Sequence, residues 1–162
     1  MSSELTSLYQ EVIIDHARRP HNFGPLEGAT CTLDGHNPLC GDQLTLYLTL
    51  DDDTISAIGF EGAGCAISQA SASLMTDAMK GLSREQALAL FTRVHTMLTV
   101  APDGPEDAGG SEPAAGVGKM VALSGIWEYP TRVKCASLAW QTLRSALKEV
   151  TQQDVTETVR TE

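Results

Sequence analysis

The sequence predicts an α+β fold: a small three-stranded antiparallel sheet with helices packed on one face, preceded by an N-terminal helix. Three observations predict it. Apolar residues recur at three- and four-residue steps at the start of the chain, alternate with period two over residues 29–60, and return to helical spacing from residue 66 onward.

The first helix is expected over residues 4–19, where Leu5, Leu8, Tyr9, Val12, Ile13 and His16 form one stripe and Pro20 and Gly24 end the pattern. On that stripe His16 reads as a packed histidine rather than a ligand. Ala29, Cys31 and Leu33 alternate with polar neighbours and mark the first strand; Cys31 reads as core. Leu44, Leu46, Leu48 and Leu50 alternate with Thr45, Tyr47 and Thr49, giving a second strand with one buried and one wetter face. Asp51, Asp52 and Asp53 supply the turn into a third strand, Thr54 to Phe60. Ala66 to Met79 reads as a helix closed by Gly81. Ser83 and Gln86 form a capping-box pair opening the next helix, whose stripe is Ala87, Leu90, Phe91, Val94 and Leu98. A last helix, expected to follow Cys135, buries Ala136, Trp140, Leu143, Leu147 and Val150.

Between these helices, residues 99–119 are rich in proline and glycine and poor in large apolar groups, which predicts an insertion loop. Too little chain follows for a second core, so residues 1–150 read as a single domain and the polar residues 151–162 as a frayed tail.

Charge and composition exclude several function classes. Lys and Arg total 11 against 21 Asp and Glu, a formal net charge of −10, which argues against a nucleic-acid partner. No apolar run approaches the roughly 20 residues that span a bilayer, and no basic segment with an apolar core opens the chain, so a cytoplasmic setting is expected. In a reducing compartment, cysteines serve as metal ligands, nucleophiles or core residues more often than as disulfides.

Three cysteines fall at the expected ends of elements. Cys40 precedes Gly41 and Asp42 at the entry to the second strand, Cys65 sits between the third strand and a helix, and Cys135 stands at the expected start of the last helix. Helix N-termini offer free N–H groups and a positive dipole end, which favour thiolates. Arg132 and Lys134 would act in the same direction at Cys135. Cys40 and Asp42, two apart in extended chain, aim to one side. Together they offer three sulfurs and one oxygen, a set that suits tetrahedral zinc or iron–sulfur chemistry. Spacing alone leaves open the plainer reading, small buried residues at element ends.

Four segments narrow that choice. LYQEVIIDHARRPHNFG, HNPLCGDQLTLYLTL, IGFEGAGCAISQASASLM and YPTRVKCASLAWQTL resemble, in order and with fitting spacing, the SufU-type proteins, relatives of the IscU/NifU cluster scaffolds. The resemblance implies an IscU-like α+β domain with a metal site at one end, its ligands Cys40, Asp42, Cys65 and Cys135; Cys31 matches no ligand. Two departures from the IscU pattern favour the SufU type. Lys134 stands where IscU-type scaffolds carry a histidine, and EYPTR replaces their chaperone-read LPPVK segment. The insertion at 99–119 is a further SufU-like feature. The resemblance therefore implies a zinc-dependent acceptor of persulfide sulfur from a SufS-type cysteine desulfurase, with a downstream cluster assembly complex as a further partner. In that reading Cys40 takes the sulfur and Arg132 supports the site. A carrier that assembles and delivers iron–sulfur clusters, or a purely structural zinc module, would use the same ligands. A zinc hydrolase is disfavoured because four protein ligands leave no position for water. His36 is expected in a turn and His95 at the surface or boundary of a helix, and the residues alone assign no role to His21 and Asn22.

Overall fold

The computed structural model describes residues 3–37, 41–99, 118–149 and 156–160. In chain order they form α1 (Ser3–Arg18), β1 (Cys31–Asn37), β2 (Asp42–Asp51), β3 (Thr54–Ala63), α2 (Ala66–Met79), α3 (Arg84–Thr99), two 3-10 turns (Gly118–Leu123 and Ile126–Glu128), α4 (Pro130–Glu149) and β4 (Thr156–Arg160). Most of the expected insertion, residues 100–117, lies outside the described residues, as does Cys40.

β1, β2 and β3 form the expected antiparallel meander, with Leu33 opposite Leu46 and Leu46 opposite Phe60. The β2–β3 connection is a two-residue turn in which Asp52 and Asp53 take φ of 54° and 65°. Aspartate tolerates this left-handed backbone, and two such residues match the twist of a hairpin. Part of the tail 151–162, expected to fray, is instead a strand. Residues 156–160 form β4, which adds to β1 in parallel and gives the sheet order β3-β2-β1-β4. β-branched Thr156, Thr158 and Val159 suit a strand, and the open edge of β1 offers the N–H and C=O groups it needs.

One face of the sheet carries the core. Leu33, Leu44, Leu46 and Leu48 are buried, and Cys31 joins them as read from its strand face. α2 packs on β3, and α4 packs on β1 and β2, with α1 and α3 outside them. α4 lies close to β1 at Gly35, where a Cβ would collide with the Thr142 hydroxyl. The free edge of β3 is covered by the segment after α1: the Phe60 N–H donates to the Asn22 carbonyl (3.1 Å) and the Gly24 N–H to the Phe60 carbonyl (2.7 Å). That contact brings residues 21–24 back against the sheet and beside α2.

Candidate metal centre

The strands set the first side of the site. Asp42 opens β2 directly opposite Asn37, the last residue of β1, and the Gly41 N–H closes the tip onto the Asn37 carbonyl at 2.8 Å. Gly41 has φ of 74°, a backbone that an L side chain rarely adopts. Asp42 is only 1% exposed. Its Oδ1 accepts the Cys65 N–H at 3.0 Å, and its Oδ2 lies 3.8 Å from Cys65 Sγ.

The EGAGC segment makes room for that carboxylate. A Cβ on Gly64 would lie 2.5 Å from Asp42 Oδ1 and 2.9 Å from its Cγ. A Cβ on Gly62 would strike the Gln43 carbonyl of the paired strand. Both glycines are therefore spacing residues: one lets β3 pair closely with β2, the other lets the acid reach the end of α2. Sequence alone assigns neither glycine a role; their spacing ahead of Cys65 is the available signal.

Cys65 is the N-cap of α2, as expected, and its Sγ accepts the Ser68 N–H at 3.5 Å. A sulfur here faces the unpaired N–H groups and the positive end of the helix, a setting that favours negative charge. Cys135 departs from expectation. α4 begins at Pro130, so Cys135 lies five residues inside the helix rather than at its start. Proline suits a first helical position because its missing N–H is not needed there. The Val133 N–H already donates to Tyr129 at 3.0 Å, so the free N–H groups lie before Cys135 and the helix-start argument does not apply to it.

Cys135 instead reaches the site by helix packing. The Trp140 indole N–H donates to Ser71 Oγ (3.0 Å), which donates to the Ala136 carbonyl (2.6 Å), all buried. This bond pair fixes α4 against α2 one residue from Cys135. The result is that one donor atom each from Asp42, Cys65 and Cys135 lies within 4.8 Å of the others. Ligands of one tetrahedral zinc lie roughly 3.3–3.8 Å apart, given Zn–O and Zn–S bonds of about 2.0–2.3 Å. An adjustment of about 1 Å would therefore let a single ion bridge them. A carboxylate buried this deeply also gains from a positive partner. The donor set fits a borderline or soft cation.

Arg132 is exposed one turn before Cys135, and Lys134 beside it is half-buried. His36 stands in β1 opposite Gln43 rather than in a turn. His95 stacks on Phe91 within α3, 5.5 Å between ring centres. Neither histidine belongs to the three-residue cluster.

Comparison with known proteins agrees with this architecture. Residues 8–157 match the model of the NifU-like N terminal domain. The chain belongs to that family. It is 41% identical over 146 residues to the iron–sulfur cluster assembly scaffold protein IscU of Streptococcus pyogenes serotype M1, covering 90% of this chain and 86% of the relative. It is 38% identical over 146 residues to the zinc-dependent sulfurtransferase SufU of Bacillus subtilis (strain 168), covering 90% and 93%. A crystal structure of a candidate SUF-system scaffold from Fervidobacterium islandicum AW-1 superposes with a TM-score of 0.72 at 34% identity, covering 87% of this chain and 97% of that one. This family member thus falls among proteins of iron–sulfur cluster assembly. Among the described residues no helix is long and apolar enough to cross a membrane.

Proposed function

We propose that this chain is a zinc-dependent sulfur acceptor that takes persulfide sulfur from a SufS-type cysteine desulfurase for iron–sulfur cluster assembly. The observation that carries the reading is the convergence of Asp42, Cys65 and Cys135 beside the strand entry that Cys40 precedes. Cys40 completes the ligand set in this reading, so the metal residues are Cys40, Asp42, Cys65 and Cys135. Zinc, when bound there, keeps the thiols deprotonated at neutral pH. Lys134 supports zinc sulfur transfer over cluster building, because it offers no imidazole beside Cys135.

The transfer itself is thiol exchange. The Cys40 thiolate attacks the outer sulfur of the desulfurase persulfide. A new S–S bond forms on Cys40, the S–S bond on the enzyme breaks, and the enzyme's cysteine leaves as thiolate, with no net oxidation. Asp42 and Cys65, held to each other by the Cys65 N–H bond, would keep the site together while Cys40 reacts. Exposed Arg132 would steer the incoming anionic persulfide.

A second reading, a scaffold that builds and delivers clusters, rests on the same thiolates and on the scaffold named in Streptococcus pyogenes. Two measurements separate them. Purified protein should be colourless and hold zinc, and incubation with desulfurase and cysteine should place a persulfide on Cys40 by mass mapping. Cys40→Ser should abolish stimulation of the desulfurase. Persulfide found only at other residues, or a stable brown cluster active in delivery, would overturn the sulfur-acceptor reading.

A further inference from the structure

A second group of ligand-type residues lies at the far end of α2. Asp77 is in the last turn of that helix, 12 residues after the Cys65 cap, or about 18 Å along the axis at 1.5 Å per residue. Around it gather His16 from the end of α1 and His21 from the segment that covers β3. One donor atom each from His16, His21 and Asp77 lies within 4.8 Å of the others.

The three are held by bonds of their own. Ser73 Oγ makes two contacts, one with His16 Nδ1 (2.7 Å) and one with the His21 backbone N–H, which it accepts (2.7 Å). That hydroxyl fixes both histidines on α2, with ring centres 4.3 Å apart and planes tilted by 42°. Asn22, at a left-handed φ of 59°, donates its amide to Asp77 Oδ1 (3.1 Å) and to Thr76 Oγ1 (3.0 Å). Asp77 Oδ2 meets His21 Nδ1 at 2.5 Å. Asp77 Oδ1 is thus oriented by the Asn22 amide, the kind of outer support that aims ligands at metals, and its Oδ2 faces the His21 ring.

Access and charge point the same way. His16 is 5% exposed, whereas the side chains of His21 and Asp77 are 48% and 40% exposed. The group therefore combines one rigid buried anchor with two donors that solvent and ions can reach. Asp77 adds a negative charge where the helix dipole is already negative, and no basic residue precedes the Lys80 cap in the last turn of α2. A cation there would offset both.

We propose that His16, His21 and Asp77 form a second metal site, independent of the cysteine centre, that takes a divalent transition ion of the zinc class. Two imidazoles and a carboxylate suit such an ion better than magnesium or calcium, which prefer oxygen-only shells. Three protein ligands leave a further position for water. The ion clasps the segment after α1 to the end of α2.

Cobalt titration of the tag-free, metal-stripped full chain, in excess magnesium, tests this. Cobalt at thiolates gives intense sulfur-to-metal charge transfer; cobalt at imidazole and carboxylate gives only weak visible bands. Wild type should take a second equivalent that adds weak bands and no charge transfer, and should melt at higher temperature once it is bound. His21→Gln and Asp77→Asn, both exposed and so expected to fold, should each lose the second equivalent while the charge-transfer signal stays unchanged. A single equivalent in wild type, a second one displaced by magnesium, or a second one that survives both substitutions would overturn the proposal.

Discussion

α2 carries a ligand cluster at each end, and the two ends are built on opposite plans. At its N-terminus the helix itself supplies the cap, Cys65, and borrows a carboxylate from β2 and a sulfur from α4. Two of those three donors are buried, so the cluster is part of the packing of the domain. At its C-terminus the helix supplies a carboxylate and borrows two imidazoles from α1 and the segment after it. There only His16 is buried, and the other two donors lie on the surface of the packing. The difference predicts that damage at the cysteine end spreads into the fold, whereas damage at the histidine end stays local until a metal is added.

The largest effect should come from Cys135→Ser. It removes a buried sulfur whose position depends on the contact between α2 and α4. A structural zinc can contribute on the order of 10 kcal/mol to a small domain, comparable with the net stability of the whole fold. Metal analysis should show the tightly held ion lost, and the melting temperature should fall to that of chelated wild type. A chelator that strips the wild-type metal without shifting the melting curve would remove the contrast between the two ends. Gly64→Ala should come next. Its Cβ would meet Asp42 Oδ1 at 2.5 Å, so the carboxylate must move. Overpacking of this kind costs about 1–3 kcal/mol, and a displaced ligand should weaken zinc binding about 10–100-fold, as loss of outer-shell support does. Competition with a chromophoric chelator would measure it.

Ser71→Ala probes the tie behind the site. It leaves the buried Trp140 N–H without its acceptor and removes a donor to Ala136, at a cost of about 1–3 kcal/mol. Denaturant melts should show that loss, with a smaller loss of zinc affinity than for Gly64→Ala, because no ligand is displaced directly. Equal losses from both would mean that helix spacing, not the reach of Asp42, limits the centre.

How much of this was legible in the sequence follows the range of the interactions. The capping box at Ser83 and Gln86 is local, and the structure has both of its bonds, 3.0 and 3.1 Å. The alternation through β2 and the aspartate turn are local too, and both stand. α4 starts at Pro130 and not at Cys135, because proline is a stronger signal of a first turn than a cysteine motif. β4 has little local signal, because three β-branched residues in a polar tail become a strand only when an open sheet edge receives them. The convergence of Asp42, Cys65 and Cys135 follows from resemblance more than from spacing, since contacts between distant residues leave no periodic trace. The histidine cluster was beyond spacing altogether: His21 and Asp77 are 56 residues apart, and Ser73, which holds both histidines, looks like one more small residue in a helix.

The smallest expected effect completes the comparison. In metal-free protein, Asp77→Asn removes the carboxylate that meets the His21 ring, a contact whose side chains are 48% and 40% exposed. Pairs that solvated contribute about 0–1 kcal/mol, and an asparagine keeps an oxygen that can still accept from Asn22. The substitution also removes a negative charge from the negative end of a helix, which offsets part of the loss. Urea melts of the stripped variant should therefore lie within about 1 kcal/mol of stripped wild type. A loss several times larger would place Asp77 within the packing after all, and the two ends of α2 would then be alike.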